Sequence, residues 1–94
     1  MLKATDELQV DNDKVRVTQW TFAPGAETGE HIHEYDYVII PNDTGKMKII
    51  DPSGHSSIVD MNKGQSYFRS KGVHHNVVSI NDFEFSFVEV ELKQ

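Results

Sequence analysis

Three histidines set the chemistry available to this chain. His31 and His33 lie in Gly25-Ala26-Glu27-Thr28-Gly29-Glu30-His31-Ile32-His33, and His75 closes Gly64-Gln65-Ser66-Tyr67-Phe68-Arg69-Ser70-Lys71-Gly72-Val73-His74-His75. In a β-strand, residues i and i+2 point to one face with Cα atoms roughly 6.6 Å apart. The imidazoles of His31 and His33 can therefore converge on one ion while apolar Ile32 faces the other way. A His-x-His pair alone is more often a solvated or hydrogen-bonded pair than a ligand set; the second stretch is what raises the expectation of a metal site. Neutral imidazole is the commonest side-chain ligand for zinc, nickel, copper and iron. A chain without cysteine has little else to offer a borderline metal. The expectation is one divalent transition metal, zinc, nickel, iron or manganese, held by His31, His33 and His75.

Such a site needs rigid elements under it, and the chain reads as short strands broken by turns. Val15 to Phe22 is rich in β-branched and aromatic residues and stops at Ala23-Pro24-Gly25. Strands are expected from about Tyr35 to Ile40, Met47 to Ile50, around Ile58 and Val59, Tyr67 to Arg69, and His75 to Ile80. They are separated by Pro41-Asn42-Asp43-Thr44-Gly45, Asp51-Pro52-Ser53-Gly54, Asn62-Lys63-Gly64 and the Lys71-Gly72 bend. In the last strand Phe83, Phe85 and Phe87 alternate, then Val88, Val90 and Leu92 alternate on the opposite parity, which implies a bulge near Phe87 or apolar residues on both faces. No segment carries a sustained helical period with a cap. The pattern predicts an all-β sandwich or barrel. Residues 1–13, with Asp6, Glu7, Asp11 and Asp13, are expected to form a loose arm or an added edge strand.

Composition narrows the rest. Ninety-four residues make one domain spanning 1–94 with a modest core, for which a metal or a subunit interface is a natural source of extra stability. A formal charge of −6, fifteen acidic residues against nine basic, and no Lys/Arg run argue against nucleic acid. The first residues contain no apolar signal-peptide core, and the longest apolar run, Val38-Ile39-Ile40, is far too short to span a bilayer. The expectation is a cytoplasmic protein that binds neither membrane nor nucleic acid. A homodimer is expected, the commonest closed assembly, covering apolar edge on the long C-terminal strand.

The two histidine stretches resemble the two motifs of the cupins. Gly25, His31 and His33 match the first motif, G-x5-H-x-H-x3,4-E-x6-G, without a gap, and Gly64, Gly72 and His75 match the second, G-x5-P-x-G-x2-H-x3-N. The resemblance runs from about Val15 to Leu92 and implies a small single-domain, RmlC-like cupin: an antiparallel double-stranded β-helix barrel. The tracts Trp20 to Tyr37 and Gly64 to Val77 are similar to a small-cupin subgroup sometimes labelled with β-alanine degradation. Three positions depart from the motifs. The acidic ligand falls at Tyr37 or Val38, neither a carboxylate, while Ser70 and Ser79 replace the proline and asparagine of the second motif.

Tyr37 shares strand parity with His31 and His33, whereas Glu34 and Asp36 do not. A phenol with an unperturbed pKa near 10 is a poor ligand and a good hydrogen-bond donor, so Tyr37 is expected beside the metal as a proton donor and substrate contact, or else as barrel filling. Arg69, if inward, would hold a substrate carboxylate bidentately; if outward, it would pair with a surface acid. His74 and His55 are expected on the surface. Trp20, Phe22, Tyr67, Phe85 and Phe87 should fill most of the barrel, leaving a small pocket. Two functional classes follow: a metalloenzyme acting on a small carboxylate or keto acid by oxygenase, isomerase or hydrolase chemistry, or a non-catalytic module that holds or senses a small anion.

Overall fold

The computed structural model describes residues 2–93. Nine strands follow one another: β1 (Thr5–Asp11), β2 (Val15–Phe22), β3 (His31–Ile32), β4 (Asp36–Pro41), β5 (Gly45–Ile50), β6 (Ser56–Met61), β7 (Tyr67–Arg69), β8 (His74–Ser79) and β9 (Phe85–Leu92). They pair antiparallel into a five-stranded sheet, ordered β1-β2-β9-β4-β7, and a four-stranded sheet, ordered β3-β8-β5-β6. Among the described residues no helix is long and apolar enough to cross a membrane.

Alternation in the strands puts one face of each sheet into a shared core. Phe22, Tyr37, Ile39, Phe85 and Phe87 from the larger sheet meet Met47, Met61 and Val77 from the smaller, all buried. Phe22 and Phe87 pack with ring centroids 5.4 Å apart, a separation typical of favourable aromatic pairs. Trp20 and Tyr67 are half-buried and pack against this core rather than within it.

The parity change in the C-terminal strand has a clear outcome. β9 pairs with β2 from Val15–Leu92 through Phe22–Phe85 without a register shift, so there is no bulge at Phe87. Phe85 and Phe87 point inward, Val88, Val90 and Leu92 point outward, and the strand is apolar on both faces. β9 is also the middle strand of its sheet, flanked by β2 and β4. The expected apolar edge on this strand is therefore wrong: both its edges are hydrogen-bonded. The one register irregularity recorded along these strand pairs lies between Leu8 and Val10 in β1, whose seven residues are all exposed at the sheet edge.

Candidate metal centre

The two histidine stretches become neighbouring strands. β3 lies antiparallel to β8 with His31 opposite His75 and Ile32 opposite His74. His33 lies just past the end of β3 and is held by backbone bonds to the bend before β8: its N–H donates to the Val73 carbonyl at 2.9 Å, and its carbonyl accepts from the Gly72 N–H at 2.8 Å. Gly72 has φ +93°, a left-handed conformation that costs glycine little. That bend turns the chain so that His75 enters β8 facing inward, where its side chain is buried.

The three rings meet at one point. Their centroids lie 4.7–5.0 Å apart and their planes are steeply inclined to one another. His33 Nε2 stands 3.1 Å from His31 Nε2 and 3.1 Å from His75 Nε2, and one nitrogen from each residue falls within a common 4.8 Å. The donor set fits a metal ion. Nitrogens bound to one ion at about 2.0–2.1 Å, at angles from octahedral to tetrahedral, stand about 2.9–3.4 Å apart. His31 Nδ1 lies 2.8 Å from the Gly29 carbonyl, so its N–H is used there and Nε2 presents a lone pair. A single N–H on His33 Nε2 can bridge to only one neighbour, whereas a cation satisfies all three nitrogens at once.

The support behind His31 comes from the second stretch. The Gly29 N–H donates to Asn76 Oδ1 at 3.0 Å, and Asn76 Nδ2 donates to Glu27 Oε1 at 3.1 Å. Outer partners of this kind fix the tautomer and orientation of a ligating histidine.

Burial keeps the ligands neutral. It pushes His33 down to about 4 and His75 to about 3, with the charges of His31 and Arg69 acting in the same direction. Both are histidines of ordinary pKa near 6.5 when unfolded. As pH falls from about 6.5 towards 4, the unfolded chain takes up protons that the folded one refuses, so the metal-free fold loses stability across that window. Glu89 carries the opposite sign. Burial raises its carboxyl to about 7, so its contribution is fully present below its ordinary 4.5 and is lost as pH rises through 7. Two histidines outweigh one carboxyl. Thermal melts of metal-free protein should show Tm falling from pH 6.5 to 4; a Tm that rises on acidification would refute the assignment of neutral, buried His33 and His75.

Tyr37 and Arg69 reach the same place. On the inner face of the larger sheet, Arg69 pairs directly with Tyr37 in register, and both line the cavity of about 30 Å3 that the three histidines share. Tyr37 is 2 % exposed, its ring stacks on His33 with centroids 3.8 Å apart and planes 15° apart, and its hydroxyl is buried without a hydrogen-bond partner. Burial pushes that phenol up to about 12, so it remains protonated. Arg69 faces inward, and among the described residues it makes no ion pair. A second depression of about 380 Å3 adjoins the cavity, and Tyr67 and Arg69 line both. His74 points outward to Glu30 at 3.1 Å, and His55 is exposed.

One residue of the site escapes the sequence reading. Glu89 of β9 lines the cavity, with Oε1 4.0 Å from His33 Nδ1. Its inward direction follows from Phe85 and Phe87 once β9 is known to run without a bulge. A carboxyl therefore stands behind a candidate ligand even though the first motif lacks its glutamate.

Two facing antiparallel sheets with a histidine cluster carried by β3, the turn after it and β8 define the architecture of a cupin. No family model matches the chain. It is 47 % identical over 93 residues to the beta-alanine degradation protein BauB of Pseudomonas aeruginosa, spanning 97 % of this chain and 95 % of that one. The crystal structure of a cupin domain from Bordetella pertussis Tohama I superposes with a TM-score of 0.95 at 45 % identity, over 99 % of this chain and 96 % of that one. The polyketide cyclase RemF of Streptomyces resistomycificus, 22 % identical, shares the fold with a TM-score of 0.73 over 98 % of this chain and 66 % of its own. The chain belongs to the cupins, in the family that includes BauB.

Proposed function

We propose that this cupin binds one divalent transition metal through His31, His33 and His75 and acts as a metalloenzyme on a small carboxylate or keto acid. Three neutral ligands leave positions open on any of zinc, nickel, iron or manganese. The bound ion would supply Lewis-acid polarisation of a carbonyl or activation of water or oxygen. The protein's own part is recognition. The observation that carries the reading is that Arg69, which makes no ion pair among the described residues, and Tyr37, whose hydroxyl has no hydrogen-bond partner there, are register neighbours lining the cavity of the three histidines. A carboxylate is the small group that answers both: the guanidinium forks onto its two oxygens, and the phenol donates to one of them. The site has no carboxylate ligand of its own to neutralise the ion, so an anion is stabilised there.

The Pseudomonas relative is named for beta-alanine degradation, and beta-alanine is a small carboxylate, the class of ligand this reading assigns to the cavity. The alternative, a module that holds or senses the anion without turnover, is favoured by the small volume of about 30 Å3 beside the histidines. The test titrates metal-loaded protein with acetate and with acetamide by calorimetry. Acetate should bind at least about 10-fold more tightly, and Arg69→Met should remove most of that preference. Equal affinities for acid and amide would overturn the anion site. Product formation from a panel of small keto and amino acids would separate enzyme from binding module.

A further inference from the structure

We propose that the depression between β6 and β7 is the entrance to the histidine cavity and the subsite for the rest of its ligand, a short acyclic carboxylic acid with an apolar stem and an uncharged polar end. On the carboxylate reading of Arg69 and Tyr37, on which this rests, the head group of the acid lies in the cavity. A cavity of about 30 Å3 has room for little more than one water molecule, so any acid larger than its own head group must reach beyond it. The adjoining depression, about 380 Å3, falls in the size range of small-molecule sites. It shares Val59, Met61, Tyr67 and Arg69 with the cavity, whereas a third depression, lined by Glu34, Tyr35, Asp36, Lys71 and Leu92, shares no residue with it.

Topology explains why the wall is open here. β6 is the last strand of the smaller sheet and β7 the last strand of the larger, and the two do not pair with each other. The turn at 62–66 joins them and is itself fixed. The Lys63 N–H donates to Thr44 Oγ1 at 3.0 Å, the Gly64 N–H to the Pro41 carbonyl at 2.9 Å, and the Gln65 N–H to the Asn62 carbonyl at 2.9 Å. The lining passes from apolar to polar. Half-buried Val59 and Tyr67 and buried Met61 flank the passage into the cavity, a surface suited to methylene groups. Asn62, Gln65 and Ser66 form the exposed rim. Asn62 Nδ2 donates to Gln65 Oε1 at 3.1 Å, which leaves Asn62 Oδ1 as an acceptor and Gln65 Nε2 as a donor for an incoming hydroxyl. Asp60, the other charged lining residue besides Arg69, is already paired with Lys46, so the outer end selects no charge.

Calorimetry on the zinc-loaded protein tests each part. Butyrate should bind about 10-fold more tightly than acetate, since each buried methylene adds roughly fourfold. γ-Hydroxybutyrate should bind at least as tightly as butyrate. Ser66→Trp and Gln65→Trp, each filling the depression from its exposed rim, should cut the butyrate advantage below about threefold, with metal content and acetate affinity unchanged. Lys71→Trp, on the third depression, should change none of these. Butyrate no tighter than acetate, or an advantage that survives both rim variants, would overturn the subsite while the preference for acetate over acetamide still stands. So would loss of the advantage in Lys71→Trp and not in the rim variants. A γ-hydroxybutyrate affinity about 10-fold below that of butyrate would overturn the polar end. Equal binding of acetate and acetamide would instead strike the carboxylate reading beneath the subsite.

Discussion

After dialysis against zinc, nickel, iron or manganese, His33→Ala should retain less than about a tenth of an equivalent of metal, where the unaltered chain holds about one. His33 is the sharpest of the three positions because its Nε2 is 3.1 Å from both partners, so its removal leaves His31 and His75 without the ligand between them. The thermal readout is large as well. An ion present at about 100 times its dissociation constant stabilises the fold by about 2.7 kcal/mol. In a domain of this size that raises Tm by roughly 10–20 °C. Wild type should show that rise on adding metal and His33→Ala should show none. His74→Ala is the control. It removes an imidazole next to His75 that points outward to Glu30, so metal content and the thermal rise should both survive. Loss of both in His74→Ala, or their survival in His33→Ala, would mean that the bound ion sits on the surface.

The convergence of the three histidines is legible in the sequence because its determinants are local. Glycines and prolines mark where strands stop, and the His-x-His spacing implies convergence even though His33 falls beyond the two-residue strand β3. Backbone bonds to Gly72 and Val73 keep it on the inner side. Arg69 was not decided by the same reasoning. β7 is three residues long and ends at a bend, too short for alternation to say which way its last residue faces; only the pairing with Tyr37 settles it. Glu89 was invisible for another reason. β9 is apolar on both parities, so no alternation distinguishes inside from outside, and the direction of Glu89 depends on an unbroken register with β2 that no single-strand pattern contains. The same two-sided strand hid the topology, since a buried middle strand and an exposed edge strand can share that composition.

Tyr37→Phe should make the metal-free protein more stable and the metal-loaded protein a poorer binder of carboxylates. The hydroxyl is buried, has no hydrogen-bond partner, and belongs to a phenol held neutral by burial. An unsatisfied buried polar group costs about 1–3 kcal/mol, so removing the oxygen alone should raise stability in chemical denaturation by that order. The phenyl ring keeps the 3.8 Å stack on His33, which leaves the position of the ligand and the packing of the barrel in place. Binding moves the other way. A hydrogen bond to a charged group is worth about 1.5–3 kcal/mol, so the acetate affinity of the metal-loaded variant should fall roughly 10- to 100-fold. The opposite signs are the diagnostic. Barrel filling alone predicts no change in acetate binding, and a hydroxyl satisfied within the fold predicts a loss of stability. A residue kept for recognition at a cost to the empty fold predicts a gain in stability together with a loss of affinity, which only a hydroxyl reserved for the ligand can produce.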